Sequence, residues 1–354
     1  MAEIHRRPQV SHRGPRRMHA IWRSVLTPLT IPYAIAVALR NRRYDRGVGV
    51  CRAAVPVISI GNITTGGTGK TPLVILLARR LLGMRIRPAI LTRGYGARGG
   101  ETPDEVMEFR TALPTVPVVI NPDRVAGAEA AVREHSIDCL LLDDGFQHRR
   151  LARDLDIVVI DAMNPWGFEK LLPAGRLREP LSSLLRADLF IVSRANLADA
   201  ADVLALERRL AALDEGKPVL RFETRAGELV HFDGGVEDAA SLSVRCVLPV
   251  CGIGNPESFL RLLAQHAGGL CKPAVFRDHH RYTRGDAIRL AKCARAEGAD
   301  LVLTTRKDWG KLAPLWRSMR PDAPPLARLD LRLSLEDPDG VLDERLARVV
   351  GDCR

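Results

Sequence analysis

Residues 55–71, VPVISIGNITTGGTGKT, decide how the rest of the chain is read. Val57-Ile58-Ser59-Ile60 is a short apolar run with the character of a buried strand. A turn containing Gly66, Gly67 and Gly69 follows. Lys70 and Thr71 then open a helix, and Pro72 falls in its first turn, where a missing N–H forfeits no intrahelical bond. This order of parts suits phosphate. Glycines let backbone N–H groups converge on oxygens, and a helix N-terminus adds partial positive charge. Thr64, Thr65, Gly66, Gly67, Thr68, Gly69, Lys70 and Thr71 are therefore the candidate nucleotide cradle, with Lys70 on the β/γ-phosphates and the Thr71 hydroxyl on Mg²⁺. The pattern G-x-x-x-x-G-K-[ST] is met except at its first glycine, which is Thr64 here. A glycine turn with no ligand is the plain alternative, and GGTGKT behind a strand weighs against it. Partitioning-type ATPases carry an extra lysine early in this loop. Thr65 stands there instead, so no nucleotide-sandwich dimer of that sort is expected and the chain is read as a monomer.

Working outward, apolar runs alternate with helical stretches. Candidate strands are 57–60, 89–92, 116–120, 139–142, 157–160, 189–192 and 219–222, with helices such as 73–82 and 126–134 between them. Continuous apolar strands separated by helices predict an α/β fold, a P-loop NTPase-type parallel sheet flanked by helices, with ligands at the carboxyl ends of the strands. A second, smaller α/β domain is expected over 246–325. Its strands would be 246–250, 274–276 and 301–304, and its helices 256–265 and 285–297. The connection at 226–245, carrying Asp233-Gly234-Gly235, reads as hairpin-like. A tail over 326–354 offers one strand and a short helix that could return to the first domain, placed at 21–225.

The chain has 354 residues and a formal net charge of +11, which calls for an anionic partner: nucleotide, nucleic acid or an acidic membrane surface. The excess starts in a basic arm at 1–20, with Arg6, Arg7, Arg13, Arg16 and Arg17 against Glu3 alone. Next comes the apolar segment IWRSVLTPLTIPYAIAVAL, 21–39, followed by Arg40, Arg42, Arg43 and Arg46. It is too short to cross a bilayer and is broken by Pro28 and Pro32. Two readings stand: a helix packed on the domain, or an interfacial anchor over 21–46 with arginines on anionic headgroups and Trp22 and Tyr33 at the boundary. The seven cysteines form no C-x-x-C pair, which predicts reduced thiols and no zinc site.

Further clusters follow the strands. CLLLDDGFQH, 139–148, ends an apolar strand in Asp143-Asp144, the form of a Walker B element whose acids can hold Mg²⁺ or orient a nucleophile; which of the two touches the ion is left open. An Asp-Gly turn capping a helix is the alternative. Asp104, after TRGYG (92–96), is a candidate base for an acceptor hydroxyl. In LPAGRLREP, 172–180, arginines could meet phosphate and Glu179 could meet Mg²⁺, or Glu179 could simply form a salt bridge. In FRDHHRYT, 276–283, a histidine that relays a proton fits better than a metal ligand. TTRKDWGK, 304–311, either adds positive charge to a cleft or is a solvated basic face.

SIGNITTGGTGKTP, TRGYG, LLDDGFQH, LPAGRLREP, GIGNPESF, DHHRYT and TTRKD occur in this order, and together they closely resemble the tetraacyldisaccharide 4′-kinase family, the lipid A 4′-kinases of Gram-negative bacteria. The resemblance runs from about residue 26 to about residue 312. It implies transfer of the γ-phosphate of ATP, with Mg²⁺, to the 4′-hydroxyl of a tetraacylated glucosamine disaccharide 1-phosphate at the cytoplasmic face of the inner membrane, giving lipid IVA. It also implies a P-loop domain and a smaller α/β domain joined by a two-stranded linker, with closure between them building the site. Carried over residue by residue, it makes Asp104 and His279 the catalytic pair, with Lys70 and Asp143 beside them, and makes Thr71, Asp144 and Glu179 candidate metal ligands. Asn62, Arg93, Tyr95, Gln147 and Arg178 are the candidate acceptor contacts. Many members read G-D-E-P where this chain has Thr102-Pro103-Asp104-Glu105-Val106, and T-E-K-D where it has Arg306.

Two other classes are weighed. A P-loop switch ATPase or GTPase, or a metallochaperone, would want an N-K-x-D element or a Cys/His cluster, and Ser193-Arg194-Ala195-Asn196 supplies neither. A nucleic-acid-binding ATPase would interleave basic residues with aromatics, which make up only 5% of the chain, so no nucleic-acid partner is expected.

Overall fold

The computed structural model describes residues 26–94, 103–319 and 324–351. The basic arm, Trp22 and Tyr95 lie outside them. The elements in chain order are α1 (Thr30–Asp45), β1 (Val57–Gly61), α2 (Lys70–Gly83), β2 (Pro88–Thr92), α3 (Asp104–Ala112), β3 (Val118–Ile120), α4 (Arg124–Glu134), β4 (Cys139–Asp143), β5 (Leu155–Asp161), β6 (Leu189–Ser193), α5 (Ala200–Ala211), β7 (Val219–His231) and β8 (Val236–Asp238). The second half holds β9 (Cys246–Cys251), α6 (Pro256–His266), β10 (Gly269–Leu270), β11 (Ala274–Val275), α7 (Arg284–Ala296), β12 (Leu301–Thr305), α8 (Arg306–Arg317), β13 (Leu326–Glu336) and α9 (Val341–Gly351).

One sheet runs through both halves in the order β10-β9-β12-β13-β7-β6-β5-β1-β4-β2-β3. The seven strands from β7 to β3 are parallel to one another, as are β9, β10, β12 and β13. The two parallel sets meet at an antiparallel seam of β7 with β13, registered from Ala327 on His231 to Glu336 on Arg221. The central strands β1, β4, β5 and β6 are buried along their length, which is why they read as unbroken apolar runs. Leu73, Leu77 and Leu81 of α2 pack on one face with Phe109 of α3 and with Leu342, Leu346 and Val350 of α9. The tail thus supplies a strand to the seam and a helix to the core beneath the glycine turn. The opposite face is built on Phe146, Phe190 and Leu210, and the second half has its own core around Trp316, Leu290 and Val302.

Several boundaries differ from the sequence reading, three of them with a structural reason. The strand expected from residue 116 starts at Val118, since Pro117 has no N–H to give the ladder. The strand expected to stop at 222 continues to His231, through the position given to a domain boundary, because its outer half alternates buried and exposed residues. The hairpin turn is at Asp233-Gly234-Gly235, where Val236 pairs with Val230, but the two long strands that join the halves are β7 and β13, not the two arms of 226–245.

Candidate active site

β1 ends at Gly61, whose position a Cβ could not share: it would lie 2.4 Å from Cβ of Phe146. The chain then turns through Gly66 (φ +119°) and Gly69 (φ +87°), conformations that side-chain-bearing residues rarely adopt. Gly69 caps α2 without any side-chain hydrogen bond, so the first N–H groups of that helix are left for a ligand. The loop is braced from its surroundings. Asn62 Nδ2 donates to Thr68 Oγ1 (2.9 Å) and Ser193 Oγ to the Thr68 carbonyl (2.8 Å). Arg194 Nη2 donates to the Gly67 carbonyl (2.6 Å) and Thr65 N to the Arg176 carbonyl (2.8 Å). Asn62 is fully buried, so it supports the phosphate loop and does not face an acceptor, contrary to the expectation set by its place in the motif.

The tip of β4 brings Asp143 and Asp144 to the same cleft as Lys70 and Thr71. Their environments differ. Asp143 continues the strand, is buried, and accepts from Thr92 Oγ1 (3.1 Å). Burial, with Glu105 nearby and Lys70 opposing, pushes its carboxyl up to about 7. Asp144 adopts a φ of +52° and turns its carboxylate onto Lys70 Nζ (3.3 Å) and Arg178 Nη1 (2.8 Å). Burial works against its ionisation, yet Lys70 and Arg178 hold it well below the usual carboxylate range. Gln147 joins this group, receiving from Arg178 Nη1 (3.3 Å) and donating to the Asn62 carbonyl (2.8 Å).

Glu179 is elsewhere. It is fully buried, and its oxygens accept from Arg40 (2.7 Å), Asn41 (3.2 Å) and Arg186 (2.8 Å). Its carboxylate ties α1 to the body and is absent from the cleft wall, which removes it as a metal ligand. Among the described residues no three His, Cys, Asp or Glu side chains form a metal cluster. What remains is Thr71 with Asp143 and Asp144: few, hard oxygen donors beside a phosphate loop, the set that suits an ion shared with phosphates. The buried Asp143, held near neutrality for want of positive charge, fits a cation at that point.

The opposite wall comes from the second half. The 253–255 turn reaches the phosphate loop: Asn255 Nδ2 donates to Asp161 Oδ2 (3.0 Å), and a Cβ on Gly254 would lie 3.5 Å from the Gly67 amide nitrogen. Asp161 also pairs with Arg194 (2.6 Å). His279, at φ +59°, places Nδ1 3.0 Å from Oδ2 of Asp104, which opens α3 in the first half. Lys311 of α8 reaches the same oxygen at 2.8 Å. Burial acts to raise the Asp104 carboxyl, but these two donors bring it below the usual range. Arg93 is exposed on the cleft wall.

Arg124 escaped the sequence reading, while His148 and Lys311 stood in the stretches 139–148 and 304–311 without roles of their own. Arg124 is only 3% exposed, its Nε and Nη2 have no partner among the described residues, and burial lowers its affinity for a proton. Its Nη1 donates to the Asn121 carbonyl (2.5 Å), which leaves Nε and Nη2 as unsatisfied donors of a buried cation on the cleft wall. His148, beside it, is pushed down to about 4 by burial and by Arg124, so it is neutral at physiological pH. Lys311 closes the stretch 304–311, and of its two readings the cleft charge holds; its bond to Asp104 is what no spacing rule discloses. The six described cysteines carry no disulfide.

A P-loop next to a Walker-type strand tip, closed over by an acid–imidazole pair from two halves, defines a phosphotransferase acting on a hydroxyl. The sequence model of the family described as Tetraacyldisaccharide-1-P 4'-kinase matches residues 22–350. A curated tetraacyldisaccharide 4′-kinase of Anaeromyxobacter dehalogenans (strain 2CP-C) is 39% identical over 85% of this chain and 84% of its own. One from Chlorobaculum tepidum is 36% identical over 89% and 94%. The crystal structure of LpxK from Aquifex aeolicus in complex with ATP superposes with a TM-score of 0.66 at 28% identity, covering 93% of this chain and 99% of that one. The chain belongs to the tetraacyldisaccharide 4′-kinase family.

Proposed function

We infer that this chain transfers the γ-phosphoryl group of ATP to the 4′-hydroxyl of a tetraacylated glucosamine disaccharide 1-phosphate, the lipid A precursor. The observation that carries the reading is that the phosphate loop and the Asp104–His279 pair, which come from separate halves of the chain, face one cleft. Phosphoryl transfer depends mainly on alignment and on neutralising charge. Lys70 and the free N–H groups of α2 hold the phosphates, and Arg194 and Ser193 keep the loop in shape. Thr71, Asp143 and Asp144 would hold Mg²⁺, which supplies charge neutralisation on the phosphates. The new O–P bond forms as the bond to the ADP oxygen breaks. The hydroxyl proton passes to Asp104, and His279 orients that carboxylate. Arg93 and Arg124 offer cationic contacts to the acceptor.

The acceptor is a membrane lipid, and α1 suits a peripheral anchor at the cytoplasmic face of the inner membrane. Ile31, Ile35 and Leu39 recur every fourth residue and are 62%, 55% and 65% exposed, while Val37 is buried and Tyr33 Oη donates to the Arg178 carbonyl. Arg42 and Arg43 follow in the last turn. No described helix is long and apolar enough to cross a membrane. A monomer meets these needs, since both walls of the cleft come from one chain.

The test is a kinase assay with γ-labelled ATP, Mg²⁺ and tetraacyldisaccharide 1-phosphate in detergent. Label should reach the lipid, and Lys70→Ala should reduce transfer by roughly a hundredfold or more. ATP hydrolysis without lipid labelling would sink the kinase reading and leave only the phosphate loop.

A further inference from the structure

Across the acceptor side of the cleft, two helices from different halves face each other. Asp104, Glu105 and Glu108 of α3 line it on one side, and Arg306, Lys307 and Lys311 of α8 on the other. The two are in direct contact at one atom. Oδ2 of Asp104 lies 2.8 Å from Lys311 Nζ and 3.0 Å from His279 Nδ1. An exposed ion pair would carry little meaning. This one is partly buried, with about a quarter of the lysine side chain and a third of the aspartate exposed, and it spans the two halves of the molecule.

The shared oxygen has consequences. An ammonium has only protons to give, so Oδ2 accepts from Lys311, and with Lys311 and His279 both at that oxygen Asp104 is held in its ionised form. The imidazole at the same oxygen then has to donate through Nδ1–H, which fixes its tautomer. Two donors on one oxygen also fix the carboxylate plane and leave Oδ1 for the acceptor. With the imidazole alone, a single donor would be left to hold the carboxylate ionised and oriented.

We propose that Lys311 is a positioning residue for phosphoryl transfer, acting through Asp104. Brought by α8 from the second half, its ammonium pins Oδ2 beside His279 and keeps the carboxylate ionised and aimed. This rests on the reading of Asp104 as the base. The other charged groups facing that carboxylate are Glu105 and Glu108 on its own helix, Arg306 and Lys307 on α8, and Asp278 beside His279. Burial raises the Glu108 carboxyl, and Lys307 and Arg306 oppose that rise. Lys311 alone of the α8 cations bonds Asp104.

The test is steady-state kinetics on Lys311→Met, Lys311→Arg, Asp104→Asn and the Asp104→Asn/Lys311→Met pair, with the lipid acceptor across pH. Lys311→Met should lower kcat roughly ten- to a hundredfold, with KM for ATP changed less than about threefold. The acid limb of kcat should move to higher pH, because the carboxylate loses a cation and keeps its burial. Lys311→Arg should recover part of the loss. Added to Asp104→Asn, Lys311→Met should cost little more, since both act on one group. An unchanged kcat, an unmoved acid limb, or losses that multiply in the double variant would each overturn the proposal. Should Lys311→Met melt below the assay temperature, Lys311→Arg and its Asp104→Asn pair decide in the same way. Failure of the wild type to label the lipid would instead remove the kinase reading itself.

Discussion

Asp143 shows how adjacent acids take separate tasks. Both were legible in the sequence as the end of an apolar strand, but their division was not, because it turns on one backbone angle. Asp144, at φ +52°, swings out to Lys70 and Arg178, while Asp143 stays in line with β4 and is buried against Thr92. Glu179 was misplaced for a similar reason: a carboxylate beside arginines reads alike whether it faces a cleft or closes an interior, and here it is walled in by Arg40 and Arg186. Asp143 in the folded chain is raised to about 7 from an ordinary 3.8. A raised folded value means that its contribution to stability is fully present below the unfolded value and lost as pH climbs through about 7. Asp143→Asn removes that penalty. Without nucleotide or metal, the variant should therefore melt several degrees above the wild type at pH 8 and close to it at pH 4, while losing kinase activity. Thermal unfolding at the two pH values checks this; an asparagine variant less stable at pH 8 would mean that the buried carboxylate is not under strain.

Among the elements, the buried central strands were the easiest to read, because a strand covered on both faces has to be apolar throughout. β7 was cut short because its outer half leaves that cover and alternates. The apolar segment before β1 kept two readings, packed helix or lipid anchor, and its geometry accommodates both. One side of α1 is docked through Val37, the Tyr33 hydroxyl and the Arg40–Glu179 pair, while Ile31, Ile35 and Leu39 point outward. A segment apolar on all sides cannot declare which side meets protein. The docking contacts and the outward stripe use different residues, so they can be separated. Ile31→Ser/Ile35→Ser/Leu39→Ser should lose most of its co-sedimentation with vesicles of anionic phospholipid, since each side chain would otherwise bury about 1.5–3 kcal/mol of apolar surface. Its kcat on detergent-dispersed acceptor should stay within about twofold of wild type. Undiminished vesicle binding would move the anchor elsewhere.

At the scale of the molecule, the site exists only where the two halves meet. They share one sheet, but its antiparallel seam joins β7 to a strand from the far end of the chain, a pairing that no local pattern discloses. Away from the seam, two of the contacts between the halves bear on the site, and they have different jobs. Asn255 on Asp161, with Gly254 over Gly67, bears on the phosphate loop. His279 and Lys311 bear on Asp104, which opens α3. In the proposed mechanism, binding of ATP draws on the first contact and on the P-loop half, whereas proton acceptance needs the second. These functions should come apart on mutation. His279→Ala should lower kcat by roughly a hundredfold or more, while the Kd for ATP, measured by calorimetry, shifts by no more than about threefold. Equal losses in turnover and ATP affinity would mean that His279 acts by holding the halves together and not through the base. Turnover unchanged by the substitution would take His279 out of the reaction altogether.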